Sequence, residues 1–411
     1  MLLGISLFYW LKFLENVLFL LQEKIIFISM KQALKLVGMF LVGILLGVMV
    51  SGAGIALFTD MTLAAFFGKL FRLHIAEVIG FPLLFICFFL ITLFLQVTLH
   101  EAGHLICGLA SGYRFVSFRI FNFTWIRKDG KWVLKRFSVA GTGGQCLLAP
   151  PDRPEEEIPV CGYNMGGVMM NILTALVALG FLLWMEDLPF MLSVFLVFGV
   201  IIGLFLGVTN GVPMKLGGIG NDAYTLRLLR HNPATKHALI LQLRINALIQ
   251  EGMRPKDMPE EWFKQDVATI DYKDILQATV GLMNVSRLLD REEWEDAYRL
   301  LEDVKSHSSE LIGILQQETD AELLFTALVT GRMERAGELA TDKLLRYIHL
   351  YSRVSSSKQR QLFALALYQE HDREKAETIY RSVVNLREKY LMQGEVNMDI
   401  ALMEVLLAQE A

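Results

Sequence analysis

Four stretches of this chain, residues 34–57, 78–110, 160–185 and 188–209, are long, almost uncharged apolar runs. An α-helix rises 1.5 Å per residue, so about 20 apolar residues cross a hydrocarbon layer roughly 30 Å thick. A backbone in lipid has no water to bond, so such runs must satisfy their N–H and C=O groups internally, as helices do. The expectation is a mainly α membrane protein with a bundle of about four core transmembrane helices. Composition agrees, with 54% hydrophobic residues and a mean hydropathy of +0.42. The net charge of -4 argues against nucleic acid as a partner.

Charge sets the orientation. Lys24, Lys31 and Lys35 precede or open the first run and hold that end in the cytoplasm, whereas the link between the last two runs carries only Glu186 and Asp187 and suits the outside. Residues 1–33 are read as an apolar or interfacial segment. Met1 to Leu21 contain Lys12 and Glu15, and no small-residue cleavage site follows, so a signal peptide is not expected. The chain is thus expected to be a multi-pass protein of the cell membrane.

The second run ends in His100-Glu101-Ala102-Gly103-His104. One helical turn apart, His100 and His104 share a face and can hold one Zn2+, with Glu101 beside it as general base. With 8 His in 411 residues, chance placement produces this pattern about two times in a hundred. Ionisable groups inside an apolar span cost roughly 2.5–3.5 kcal/mol each and persist mostly where they have a function. A catalytic zinc needs a third protein ligand and keeps one position for water. Cys107, three residues after His104, would close the site into a structural one and is the lesser reading.

The third ligand is sought after the fourth run, where Asn210-Gly211-Val212-Pro213 and Gly217-Gly218-Ile219-Gly220 break the helix before Asn221-Asp222. Asp222 is the best candidate. Its alternative role is the N-cap of a helix beginning at Ala223. In the third run, Asn164, Gly166, Gly167 and Asn171 form a small and polar stripe at roughly helical spacing. Close helix packing explains it as well as contact with substrate through Asn164, Gly167 and Asn171 does.

Between residues 113 and 140, alternating aromatic and polar residues around Asp129-Gly130 predict a β-hairpin. Seven cations from Arg114 to Arg136 keep it on the cytoplasmic side or at the membrane surface. Its role is scaffolding, or an edge on which an extended peptide pairs. The stretch from Gln145 through Pro150 and Pro151 to Glu157 reads as an exposed loop.

Taken together, residues 95–222 resemble the site-2 protease family of intramembrane zinc metalloproteases. The matching residues are His100, Glu101 and His104, and Asp222 after an Asn-x-x-Pro turn; Gly167 and Asn171 are similar to the Gly and Asn of the intervening family helix. The chain departs from the family pattern at Asn221-Asp222-Ala223, where Leu-Asp-Gly is usual, and the gap from Asn210 is longer. The resemblance implies zinc on two histidines and an aspartate, water activated by Glu101, and cleavage of a membrane protein or peptide near the cytoplasmic leaflet. A transporter using the polar cluster as a pathway, or a membrane scaffold without catalysis, are the alternatives. Residues 34–222 form the expected metalloprotease domain.

From residue 223 to 411 the chain turns soluble in character. Ala297, Ala336 and Ala376 recur at nearly constant spacing, each with an apolar residue one turn later, as in degenerate tetratricopeptide repeats. An all-α cytoplasmic domain offering a surface to a protein partner is expected.

Overall fold

The computed structural model describes residue 62 and residues 75–128, 130–136, 143–216, 218–263 and 269–410. The expected first span at 34–57, the segment 1–33, Asp129 and Gly217 lie outside the described residues. The described chain is mainly helical with a small antiparallel sheet, and three of its helices are long and apolar enough to cross a membrane. These are α1 (Ile75–Ala110), α2 (Cys161–Trp184) and α3 (Phe190–Gly211). Their bounds follow the apolar runs closely, because a helix in lipid ends where the chain can again meet water. Much of their surface faces outward uncovered, Leu183 at 73% and Trp184 at 89% exposure. Apolar surface on that scale is a liability in water and ordinary in lipid.

The chain divides into two compact units. The described part of the smaller comprises residues 75–96 with 173–204. Here Phe198 packs edge-on against Phe85 and Phe89 at 6.2 and 6.0 Å. Gln96, buried, donates to the Gly199 carbonyl at 3.2 Å and accepts from Thr174 Oγ1 at 3.1 Å. In an apolar surrounding such bonds give each amide group a partner, and each is worth about 0.6 kcal/mol on average between membrane helices.

The larger unit holds residues 97–172 and 205–410. Its sheet runs β3-β2-β1-β4, from β1 (Arg114–Ile120), β2 (Phe123–Lys128), β3 (Lys131–Arg136) and β4 (Gly144–Ala149), all antiparallel. The expected hairpin is thus β2–β3, turning at Gly130 with φ 75°. A second turn, at Phe121-Asn122, divides the first alternating run into β1 and β2, and Phe121 takes φ 52° to make it. β4 corrects the exposed-loop reading of the residues after Gly144. Cys146 and Leu148 are fully buried, packed with Tyr113, Tyr163 and the helix α5 (Pro233–Glu251). The apolar run Cys-Leu-Leu-Ala is a two-sided buried strand, which shows no alternation along its sequence.

After α3 come a tight pair of two-residue strands, β5 (Lys215–Leu216) and β6 (Ile219–Gly220), and then α4 (Asp222–His231). α5 lies beyond residue 222 in the chain yet shares a core with β4. The remaining helices are α6 (Ile275–Asp290), α7 (Trp294–Ser306), α8 (Gly313–Val329), α9 (Met333–Leu339), α10 (Asp342–Tyr351), α11 (Ser356–Ala364), α12 (Arg373–Leu386) and α13 (Gln393–Gln409). Ala297, Ala336 and Ala376 sit on α7, α9 and α12, buried in one continuous core that runs from Tyr272 to Leu406. Their small side chains let neighbouring helices approach.

Candidate metal centre

Close approach of two backbones builds the site. A Cβ on Gly103 of α1 would lie 2.2 Å from the Gly166 carbonyl oxygen of α2, and one on Gly166 would lie 2.3 Å from that of Gly103. Only glycine permits this contact, and it brings α2 against the face of α1 that carries the histidines. One residue further, a Cβ on Gly167 would fall 2.2 Å from His100 Nε2. Gly167, expected at the substrate, is therefore the floor under a histidine ring.

Each histidine is oriented through its other nitrogen. His100 Nδ1 lies 2.5 Å from Asn171 Oδ1, and His104 Nδ1 lies 2.6 Å from the Tyr163 carbonyl. Both partners are acceptors, so both Nδ1 atoms carry hydrogen and donate. In the neutral rings each Nε2 is then a bare lone pair. These two lone pairs are 2.9 Å apart. Asp222 Oδ2 joins them at 3.1 Å from His100 Nε2 and 3.6 Å from His104 Nε2. Three acceptors meeting with no hydrogen between them repel one another unless a cation sits among them. Two nitrogens and one oxygen on tetrahedral zinc, at bonds of about 2.0–2.1 Å, would stand about 3.3 Å from each other. The observed edges bracket that value. His100, His104 and Asp222 are all buried and form the group that could hold a metal ion among the described residues. Cys107 is not part of that group and packs instead toward Gly166.

Asp222 reaches the site through Asn221, whose importance the sequence did not show. Asn221 Nδ2 donates to the Thr209 and Val212 carbonyls at 2.6 and 2.5 Å, and its Oδ1 accepts from Met214 N at 3.2 Å and Tyr224 N at 2.9 Å. One amide staples the end of α3 to the start of α4. Asn221 is therefore the N-cap of α4, and Asp222 occupies the first helical position, which overturns the N-cap alternative for Asp222. A carboxylate there also gains about 0.3–1 kcal/mol from the helix dipole.

Glu101 is fully buried, and neither of its carboxylate oxygens has a hydrogen-bond partner. A buried polar group left unbonded costs about 1–3 kcal/mol, more when charged, so its retention calls for a use. The side chain faces Gly144 at the start of β4, where a Cβ would come within 2.8 Å of Glu101 Oε1. Arg119 of β1 donates to the Gly144 and Phe121 carbonyls at 3.2 and 2.7 Å. Burial lowers the Arg119 pKa to about 10 while the Glu101 charge acts to raise it. Sheet and helix thus meet at Glu101.

The other expected residues fall differently. Asn171 is engaged with His100 rather than open to a substrate. Asn164 turns its amide to the Val160 carbonyl at 2.7 Å, and Asn210 turns its amide to that of Leu206 at 2.9 Å, each on its own helical turn. The free edge of the expected hairpin is β3, while on the opposite edge, β4, the Cys146 carbonyl accepts from the Tyr163 hydroxyl at 2.7 Å. Comparison with protein-family models, with curated proteins and with solved structures returned no match.

Proposed function

We propose that this protein is an intramembrane zinc endopeptidase that hydrolyses peptide bonds in or near transmembrane segments of a membrane-bound regulator or precursor peptide. The reading rests on one observation: three buried acceptors, His100 Nε2, His104 Nε2 and Asp222 Oδ2, converge beside an unpartnered Glu101 on a helix apolar enough to cross a membrane. It is similar in these residues to the site-2 protease family.

Zinc held there would lower the pKa of a water from about 15.7 to roughly 7 and polarise a peptide carbonyl. Glu101 would serve as general base to the water that adds to the peptide carbonyl carbon and then as general acid to the amine released when the C–N bond breaks. Its freedom from hydrogen bonds keeps both oxygens available for this transfer. Asn171 and the Tyr163 carbonyl hold the two imidazoles in the tautomer that turns Nε2 inward. Gly103 and Gly166 let the two helix backbones touch, and Gly167 leaves room for the His100 ring. A substrate helix must be locally unwound before its carbonyls are accessible, so Gly, Pro or Asn near the cleaved bond favours cleavage.

In this reading the protein is a multi-pass protein of the cell membrane with a core of about four spans. The sheet lies on the cytoplasmic side, at the membrane surface, and the region after Asp222 lies in the cytoplasm, a reading supported by the cations of the sheet. The helices from α6 to α13 form a degenerate tetratricopeptide-like array that recruits a protein partner. Purified Glu101→Gln protein should hold zinc at wild-type stoichiometry and fail to cleave a reconstituted membrane-embedded substrate. Cleavage at the wild-type rate by that variant rules the reading out.

A further inference from the structure

Phe123, Trp125 and Arg127 of β2 stand directly across from Arg136, Leu134 and Trp132 of β3, so these six side chains share one face of the hairpin. All six are exposed, Trp132 at 65% and Leu134 at 54%. The opposite face is covered: Thr124 and Ile126 are buried, and Lys135 Nζ donates to the Tyr390 carbonyl at 2.7 Å. The open face is therefore a paved surface rather than a scatter of apolar residues. Trp132 lies edge-on to Phe115 at 5.1 Å, Trp125 packs against Phe118 at 6.2 Å, and the Arg136 guanidinium lies over the Phe123 ring at 5.7 Å.

Two further observations say what covers it. The open face itself carries Arg127 and Arg136 and no Asp or Glu, which complements an anionic surface. The sheet also runs back alongside α1. Tyr113 N bonds to the Gly108 carbonyl, next to the start of β1, and Gly144, across from Ile120 at the far end, lies against Glu101. Glu101 precedes the end of α1 at Ala110 by nine residues, or about 13 Å of helix. The sheet thus occupies the same depth as the last turns of an apolar helix. Indole rings and arginines together are the side chains that settle at the boundary of acyl chains and headgroups.

We infer that the Phe123, Trp125, Trp132 and Leu134 face of β2–β3 docks into the headgroup boundary of the bilayer crossed by α1, with Arg127 and Arg136 on anionic phospholipid. The sheet that touches Glu101 is thereby held by lipid on one face and by protein on the other. This rests on the reading of α1 and α2 as membrane spans, and the test separates the two.

Full-length protein is placed in nanodiscs of phosphatidylcholine with phosphatidylglycerol, the lipids brominated in the upper acyl chain, and tryptophan quenching is measured for wild type, Trp125→Phe/Trp132→Phe and Trp184→Phe. The quenched component should shrink in the Trp125→Phe/Trp132→Phe protein, and in wild type it should weaken when phosphatidylglycerol is omitted. Arg127→Glu/Arg136→Glu should weaken it in the anionic discs. Each variant is compared at an unchanged melting temperature, which solvent-exposed positions permit. Quenching lost only with Trp184→Phe means that the spans are in lipid and the hairpin face is not, which overturns the inference alone. A blue-shifted Trp125 and Trp132 emission that bromine does not touch means that protein covers the face, and this also overturns it. No quenching from Trp184, Trp125 or Trp132 overturns the membrane reading along with it.

Discussion

Replacing Gly167 by Ala tests how the centre is held. The new Cβ would stand 2.2 Å from His100 Nε2, 2.3 Å from Cδ2 and 2.5 Å from Cε1, whereas ordinary contact begins at 3.4 Å. The ring must retreat by about 1.2 Å, and it cannot tilt freely because Asn171 Oδ1 holds Nδ1 at 2.5 Å. Metal–ligand distances tolerate only about 0.2 Å, so His100 Nε2 leaves the coordination range. Losing an orienting partner alone costs 10- to 100-fold in metal affinity, so displacing the ligand itself should cost at least about 100-fold. Zinc content of the purified protein and competition with a chromogenic chelator measure this. Gly180→Ala, on the same helix and with nothing within 4 Å of its added Cβ, is the control and should bind zinc as the wild type does. A Gly167→Ala protein whose zinc affinity stays within a few-fold of wild type would show that His100 does not present Nε2 to a metal.

Other perturbations address the parts one at a time. Asn171→Leu removes the acceptor that fixes the His100 tautomer and should weaken zinc by about 10- to 100-fold with the helices intact, read by chelator competition and circular dichroism. Asp222→Ala should lose zinc and activity together; full zinc occupancy in that variant would remove it from the centre. Asn221→Ala deletes the α4 cap as well as the staple to α3, and should lower local stability by about 0.5–2 kcal/mol on hydrogen exchange while also weakening zinc. At Glu395 of α13, burial first and the Asp399 charge second raise the pKa from 4.5 to about 8, with Glu318 and Glu322 acting the same way and Lys358 against them. Folded protein therefore binds this proton more tightly than unfolded protein does. Its stabilising contribution is complete below pH 4.5 and is lost as pH rises to about 8, so Glu395→Gln should flatten the melting temperature across that window.

The local parts of this molecule were legible in the order of its residues. Apolar runs set the bounds of α1, α2 and α3 within a few positions, because hydrocarbon leaves a backbone few alternatives to the helix. The i, i+4 spacing of His100 and His104 put two nitrogens on one helical face without reference to anything else. Period-two alternation with Asp129-Gly130 marked β2–β3 as a hairpin. Tertiary contact decided what spacing cannot carry. β4 was hidden because a strand buried on both faces has no alternation, and its partner β1 lies beyond the hairpin in sequence. Asn171 acquired its role from standing 2.5 Å from a nitrogen 71 positions away, and Asp222 from lying 3.1 Å from one 122 positions away. The reason is the glycine contact between α1 and α2 and the Asn221 staple between α3 and α4. Which acceptors converge on one point depends on how closely backbones approach, and that distance is a property of packed helices rather than of any single run of residues.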